Sequence, residues 1–300
     1  KMEHIEEAGI HSGDSSCSIP PYSLPREIIR EIEKQTELLA RELNIIGLIN
    51  CQFAVKDGRV YILEVNPRAS RTVPFVSKSI GVPIAKVAAR VILGGKLKDM
   101  DLKGKPTPAH TAIKVPVFPF LRFPGIDTLL GPEMKSTGEV MGIDRDFPSA
   151  FFKGWIASGN SLRKGGAVFI SVKDADKEAA AGLAKGFLEC GFRVVSTRGT
   201  AGHLAAKGVE VEVVNKVREG RPHIVDILYN GEISLVVNTP TGRQSVHDSY
   251  SIRRTSLIMG VPIITTISGA RAALAAISGM RDGEMGVKAI QEYLELEAAR

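Results

Sequence analysis

Cysteine is scarce in this chain of 300 residues: Cys17, Cys51 and Cys190 stand far apart, with no CxxC pair. That usage fits a reducing compartment and argues against a zinc site. Long apolar runs are missing too; none approaches the roughly 20 residues that cross a membrane. No signal peptide is visible, because residues 1–14 are polar, and position 1 is not Met. The start therefore reads as that of a fragment, and the expected location is cytoplasmic. Charge of one sign is not concentrated either. The 39 Lys and Arg are mixed with 33 Asp and Glu, for a net +6, so no nucleic-acid footprint is read. Small anions such as phosphates are better matched. There is no internal repeat and no low-complexity tract.

What is present is an ordinary globular composition, 44% hydrophobic and 24% charged, at a length for about two domains. Glu27–Leu43 has apolar residues at helical spacing, with Pro25 ahead of it. Two apolar runs, Ile45–Val55 and Val60–Asn66, flank Lys56-Asp57-Gly58-Arg59 and predict a hairpin. Pro83–Leu93 predicts a helix closed by Gly94-Gly95. Residues 104–154 are rich in Pro, Gly and Phe, with only short extended runs such as Thr111–Val117, and read as a connecting region packed on the first domain. From Ala167 onward, short apolar runs alternate with helical stretches, which predicts about five parallel strands in a doubly wound sheet.

The stretch YILEVNPRAS, 61–70, carries chemistry. Alternation puts Glu64 and Asn66 on one face, and Tyr61, Leu63 and Val65 on the other, facing a core. A three-residue loop Asp57-Gly58-Arg59 would set Gln52 opposite Glu64; a two-residue loop would pair Gln52 with Leu63. The first register gathers one carboxylate and two amides, an oxygen-only set suited to Mg²⁺ or Mn²⁺ shared with phosphates. Arg68 and Arg71 would stand by to bind phosphoryl oxygens. A strand end emerging into solvent would carry the same polar residues, and that reading stays open.

A second candidate lies in STRGTAGHL, 196–204, and NTPTG, 238–242. Both loops follow strands, at the edge where doubly wound sheets bind ligands. Thr197, Gly199 and Thr200 open a helix whose free N–H groups suit an anion. Lys216 falls at the same edge, Ser249 begins the next helix, and Lys177 lies in the first. The bland alternative is that these hydroxyls only cap helices.

The segments MEHIEEAGIHSGDSSCSIPP, LEVNPRASRTVPFVSKSIGVPIAKVAARVILGGKL, FPGIDTLLGPEMKSTGEVMGID and VNKVREGRPHIVDIL closely resemble the C-terminal half of the large subunit of carbamoyl phosphate synthetase. The resemblance runs through nearly the whole chain. It implies an α/β fold: the C-terminal portion of a second ATP-grasp domain (1–103), a connecting region (104–155) and a five-stranded methylglyoxal-synthase-like allosteric domain (156–300). It implies that Gln52, Glu64 and Asn66 bind the divalent ions of MgATP, with Gln52 and Glu64 also at the nucleotide and Arg68 near the transferred phosphate. Gly9, His11 and Ser12 match a segment lining the nucleotide and a K⁺ site. The implied reaction is phosphorylation of carbamate to carbamoyl phosphate, an ATP-dependent ligase step of arginine and pyrimidine biosynthesis. Positioning and charge neutralisation would do most of the work, and no nucleophilic Ser, Cys or His is needed.

In the C-terminal domain the resemblance implies that Lys177, Thr197, Thr200, Lys216, Asn238, Ser249 and, more weakly, Thr239 hold a nucleotide effector such as UMP or IMP. Pro240 stands where a hydroxyl residue is found in the best-known member, and Val115 replaces an acid of its ornithine site; Glu6 and Asp14 match other parts of that site, and Thr265 matches a neighbour of it. Nucleotide control is expected, ornithine activation is not. Nothing before Lys1 supplies the Gly-rich loop and basic residues that an ATP-grasp site needs. The chain alone is therefore expected to be inactive, with an upstream part of the large subunit and a small glutaminase subunit as partners. The alternative is a nucleotide-binding regulatory module without catalysis. Methylglyoxal synthase itself is excluded, because 236–242 offers no carboxylate base.

Overall fold

A computed structural model describes residues 1–300 except 101, 103–106, 124, 162–164, 280–284 and 299–300, with the backbone alone at 295–298. In chain order, β1 (Glu3–His4) and β2 (Cys17–Ile19) precede α1 (Arg26–Glu42). The hairpin β3 (Asn50–Lys56) and β4 (Arg59–Asn66) follows, then α2 (Val73–Ile80) and α3 (Ile84–Ile92). β5 (Thr111–Val117), β6 (Gly138–Asp144) and α4 (Phe147–Ala157) complete the first unit. Pro25 stands at the start of α1 with φ −60°, where a missing N–H costs nothing.

One antiparallel sheet has the order β1-β2-β5-β6. Residues 111–144 therefore supply two of its strands, although their composition reads as connecting. The extended run Thr111–Val117 is β5, Pro116 included. Pro116 pairs with Glu139 of β6, beyond Lys114, the last residue of β5 that pairs with β2. A Pro there breaks no ladder on the β2 side.

The hairpin stands as its own two-stranded sheet. Its turn differs from the expected three residues. Lys56 pairs with Arg59, so the loop is Asp57-Gly58, and both have positive φ, 51° and 71°, as a type I′ turn requires. A register shift at Gln52/Phe53 then skips Leu63, and Gln52 still pairs with Glu64. The bulge supplies the residue that the shorter turn removes. The expectation that Tyr61 and Leu63 face a core is also overturned: they are 47% and 50% exposed, and Ile62 is 47% exposed. The helix α1 packs against β4, yet these three side chains stay about half exposed.

The second unit runs β7 (Ala167–Val172), α5 (Lys177–Glu189), β8 (Arg193–Thr197), α6 (Arg198–Ala206), β9 (Glu212–Val214), α7 (Ile224–Tyr229), β10 (Ile233–Thr239), α8 (Gly242–Asp248), α9 (Tyr250–Ile258), β11 (Ile263–Ile264), α10 (Ile267–Gly279) and α11 (Ile290–Ala298). Its sheet is parallel, in the order β11-β10-β7-β8-β9. Strand order reverses at β7. Alternation splits that strand: Val168 and Ile170 join one core, Ala167 and Phe169 the other.

The first of those cores spans both units. Ile113, Val115, Phe151, Phe152 and Trp155 pack in one cluster with Val168, Phe187, Ala270 and Ala273. The small residues of α10 let it lie against α4, and each large apolar side chain buried there contributes about 1.5–3 kcal/mol. The two candidate sites therefore sit on one continuous packed body.

Candidate functional site

A cleft of about 1340 Å³ opens between the hairpin, the N-terminal segment and the β5–β6 side. Gln52, Glu64, Arg68, Arg71, His11 and Ser12 line it, together with Glu6 and Glu139. Strand pairing brings Gln52 and Glu64 face to face, and Asn50 opposite Asn66. Asn66 does not line the cleft; its amide donates to Glu64 Oε1 at 3.0 Å, so it orients the carboxylate. The Arg68 guanidinium donates to the Ala69 carbonyl at 3.0 Å. Arg71 Nη1 lies 3.1 Å from Met134 Sδ.

The His11 region is built by a short turn, Ser12–Asp14, which His11 caps by accepting from Gly13 N–H at Nδ1, 3.0 Å. Gly9 precedes it at φ 106°, a conformation open to glycine. Gly9 itself lies outside the cleft lining. The buried Asp14 accepts from the Lys135 and Ser136 N–H groups at 2.8 and 2.9 Å. It anchors the 134–136 segment and presents no free face to a ligand.

A buried charge that the sequence pattern does not mark stands beside the cleft lining, next to the anticipated Glu6. Lys114 is fully buried on β5, donates to Ser12 O at 3.1 Å and stands 3.9 Å from Glu139 Oε2. Glu6 accepts from Ser16 N–H at 2.5 Å. Burial pushes its carboxyl up to about 7, against the pull of the Ser16 hydrogen bonds and of Lys114. Burial, then the Lys114 charge, push His4 down to about 4. A lysine inside an apolar strand pattern gives little sequence signal, since such residues usually end in solvent.

The donor set tests what the first cleft can hold. It offers one exposed carboxylate and neighbouring amide oxygens. Among the described residues no group of three His, Cys, Asp or Glu side chains is placed to hold a metal ion. A small set of hard oxygens that leaves most positions to other ligands fits Mg²⁺ shared with phosphates.

In the second unit the predicted residues gather at the carboxyl ends of β7, β8 and β10. Thr197 closes β8 and begins α6, yet its hydroxyl caps nothing there; it pairs with Ser171 Oγ at 3.2 Å. Lys177 Nζ stands 3.9 Å from where a Cβ on Gly199 would be, over the start of α6, and is paired with the exposed Asp174 at 2.8 Å. Asn238 is 4% exposed; its amide donates to Ser171 O at 3.1 Å, while its Oδ1 is buried without a hydrogen-bond partner. Such an atom costs free energy until a donor meets it.

Other hydroxyls are occupied. Thr200 and Thr239 accept from Val172 and Lys173 N–H groups at 3.4 and 3.3 Å. Ser249 donates to Ser245 O at 2.7 Å and accepts from Arg253 Nη1 at 2.6 Å. Lys216 is exposed, two residues past β9. Lys177 and Thr197 thus stand at the start of α6 and Asn238 near the end of β10, while the other hydroxyls brace the loops.

Residues 1–100 match the family "Carbamoyl-phosphate synthase L chain, ATP binding domain", and residues 179–265 match "MGS-like domain". The carbamoyl phosphate synthase large chain of Mesorhizobium japonicum is 53% identical over 297 residues, covering 97% of this chain and 25% of its own length. That of Methanothermobacter thermautotrophicus is 53% identical over 295 residues, covering 97% and 28%. The chain thus spans about a quarter of the curated relatives it matches, and the match falls in their C-terminal part. A solved methylglyoxal synthase from Elizabethkingia anophelis overlaps 38% of this chain and 79% of its own, at 15% identity and a TM-score of 0.33; an overlap that small bears on nothing further.

Proposed function

We propose that this chain is the carbamate-phosphorylating half-site and the regulatory unit of a carbamoyl phosphate synthase large chain, in keeping with a similarity that covers 97% of it. The pairing of Gln52 with Glu64 in a cleft shared with Arg68 and Arg71 is the observation that carries the reading. Glu64 and Gln52 would bind a Mg²⁺ or Mn²⁺ ion of MgATP, with Asn66 completing the set and fixing the Glu64 carboxylate. The bound ion neutralises charge on the nucleotide phosphates. Arg68 would hold the transferred phosphoryl group, released from the Ala69 carbonyl. Gly9, His11 and Ser12 would line the nucleotide and a K⁺ ion, their main chain fixed by the Gly13–His11 and Lys114–Ser12 hydrogen bonds. Upstream residues, on the same or a complementing polypeptide, would supply the phosphate-cradling loop and cover Tyr61, Ile62 and Leu63, and a glutaminase subunit would supply ammonia.

In the second unit, a nucleoside monophosphate such as UMP or IMP would place its phosphate at the start of α6. Lys177, Thr197, Thr200 and Lys216 would surround it, with Asn238, Thr239 and Ser249 toward the ribose. The unpartnered Asn238 Oδ1 supports this assignment, because a sugar hydroxyl would satisfy it.

The reading of a regulatory module without catalysis makes a different prediction. Calorimetric titration separates the two. Mg²⁺-dependent ATP binding that Glu64→Gln abolishes supports the half-site; binding of UMP or IMP alone supports the module.

A further inference from the structure

Arg253 on α9 is wholly buried. Its guanidinium donates to Ser249 Oγ at 2.6 Å and to Val246 O at 2.9 Å. On its other side it grips Asp127 with two parallel hydrogen bonds, Nε to Oδ1 at 2.6 Å and Nη2 to Oδ2. Asp127 belongs to the loop between β5 and β6, in the first unit. The fork therefore joins the helix that follows the C-terminal pocket to a segment of the other site.

That segment is stitched onward at each step. Lys135 Nζ donates to the Asp127 and Leu129 carbonyls at 3.2 and 2.7 Å, which fixes the turn. Asp14 holds the Lys135 and Ser136 N–H groups. Ser136 Oγ donates to Gly13 O at 3.1 Å, and His11 N–H donates to Gly131 O at 2.8 Å. Met134 Sδ lies so close that a Cβ on Gly13 would meet it at 2.9 Å. From Ser249 to His11, every link is a hydrogen bond or a close contact between named groups. Bidentate geometry transmits direction as well as attraction. A buried guanidinium cannot drift from its partner without leaving a charge unpaired.

We propose that the Arg253–Asp127 pair couples the C-terminal pocket to the His11–Asp14 turn of the cleft. Occupancy of the pocket at Ser249 moves the start of α9, Arg253 carries the shift to Asp127, and the 127–136 segment delivers it to the turn. The proposal rests on the reading of that pocket as a nucleotide site. Arg253 and Asp127 act as positioning residues and touch neither ligand.

The test is amide hydrogen exchange on the full chain with UMP, IMP or inorganic phosphate, alongside calorimetric binding of the same ligands. In the unaltered chain, nucleotide slows exchange at residues 11–14 by about fivefold or more, the lower range of coupling between sites. In Asp127→Asn the nucleotide still binds and that response is lost. Arg253→Lys, which keeps the charge but not the fork, serves as the second variant should Asp127→Asn fail to fold, and loses the response in the same way. Nucleotide binding without any response at 11–14 in the unaltered chain overturns the coupling, as does an undiminished response in a folded variant. If none of the three ligands binds the unaltered chain, the pocket reading itself is wrong, and the coupling falls with it.

Discussion

Gln52 faces Glu64 only because two departures from regular pairing cancel. The Asp57-Gly58 turn is one residue shorter than that register needs, and the bulge that skips Leu63 restores it. Without the bulge Gln52 would face Leu63, and the cleft would lose its amide–carboxylate pair. Bulges beside functional sites re-aim side chains in this way.

Asn66 holds the Glu64 carboxylate from behind. Asn66→Ala is expected to lower Mg²⁺-dependent nucleotide affinity by about 10- to 100-fold, the usual cost of losing a group that orients a metal ligand. Calorimetric titration with MgATP reads this directly, and an unchanged affinity would remove Asn66 from the site.

Gly142 of β6 touches α4 so closely that a Cβ would overlap the Ala150 carbonyl and the Gly154 N–H. Both obstacles are backbone and cannot rotate away. Gly142→Ala is expected to destabilise the chain by more than about 4 kcal/mol, beyond the common range for single substitutions. Urea unfolding would show it, with Gly138→Ala as a control, since a Cβ there meets open space.

Glu6 and His4 pull the pH dependence in opposite directions. The folded pKa of Glu6 is raised from 4.5 to about 7 by burial, so its contribution is complete below 4.5 and is lost as pH rises to 7. The folded pKa of His4 is lowered from 6.5 to about 4, so its contribution is present above 6.5 and is lost as pH falls. Glu6→Gln removes the first slope. The variant's stability should therefore rise with pH between 4.5 and 6.5 more steeply than that of the parent. Denaturant midpoints at several pH values measure this.

Much of the second unit is legible in the residues, because parallel strands flanked by helices write short apolar runs between amphipathic ones. Ala167–Val172 and the helix 174–189 emerge within three residues of β7 and α5. The first unit hides more. The extended run Thr111–Val117 is legible, but Pro116 and the buried Lys114 hide its central place in a sheet, and α4 is apolar on several sides because it is sandwiched between the two units. The Gln52–Glu64 pair was anticipated through the wrong turn, since a bulge leaves no mark in composition. The Arg253–Asp127 contact was not anticipated, because no local pattern joins residues 126 positions apart.

A bound nucleoside monophosphate should stabilise the fold. At a hundredfold excess over Kd the gain is about 2.7 kcal/mol. Lys177→Ala, which removes the ammonium over the start of α6, should lessen the shift in melting temperature. Parallel melts with UMP, IMP and ornithine check both, and no shift from any of them at millimolar concentration would remove the main support for this pocket.

The central claim is that residues 1–144 hold part of an ATP site whose remaining groups lie upstream of them. Carbamoyl phosphate formation from bicarbonate, ammonia and MgATP tests it most directly, with the chain alone and with the upstream part of a related large chain added. The account predicts no turnover from the chain alone and turnover on mixing that Glu64→Gln abolishes. Appreciable turnover by the chain alone, or turnover on mixing that survives Glu64→Gln, would contradict it.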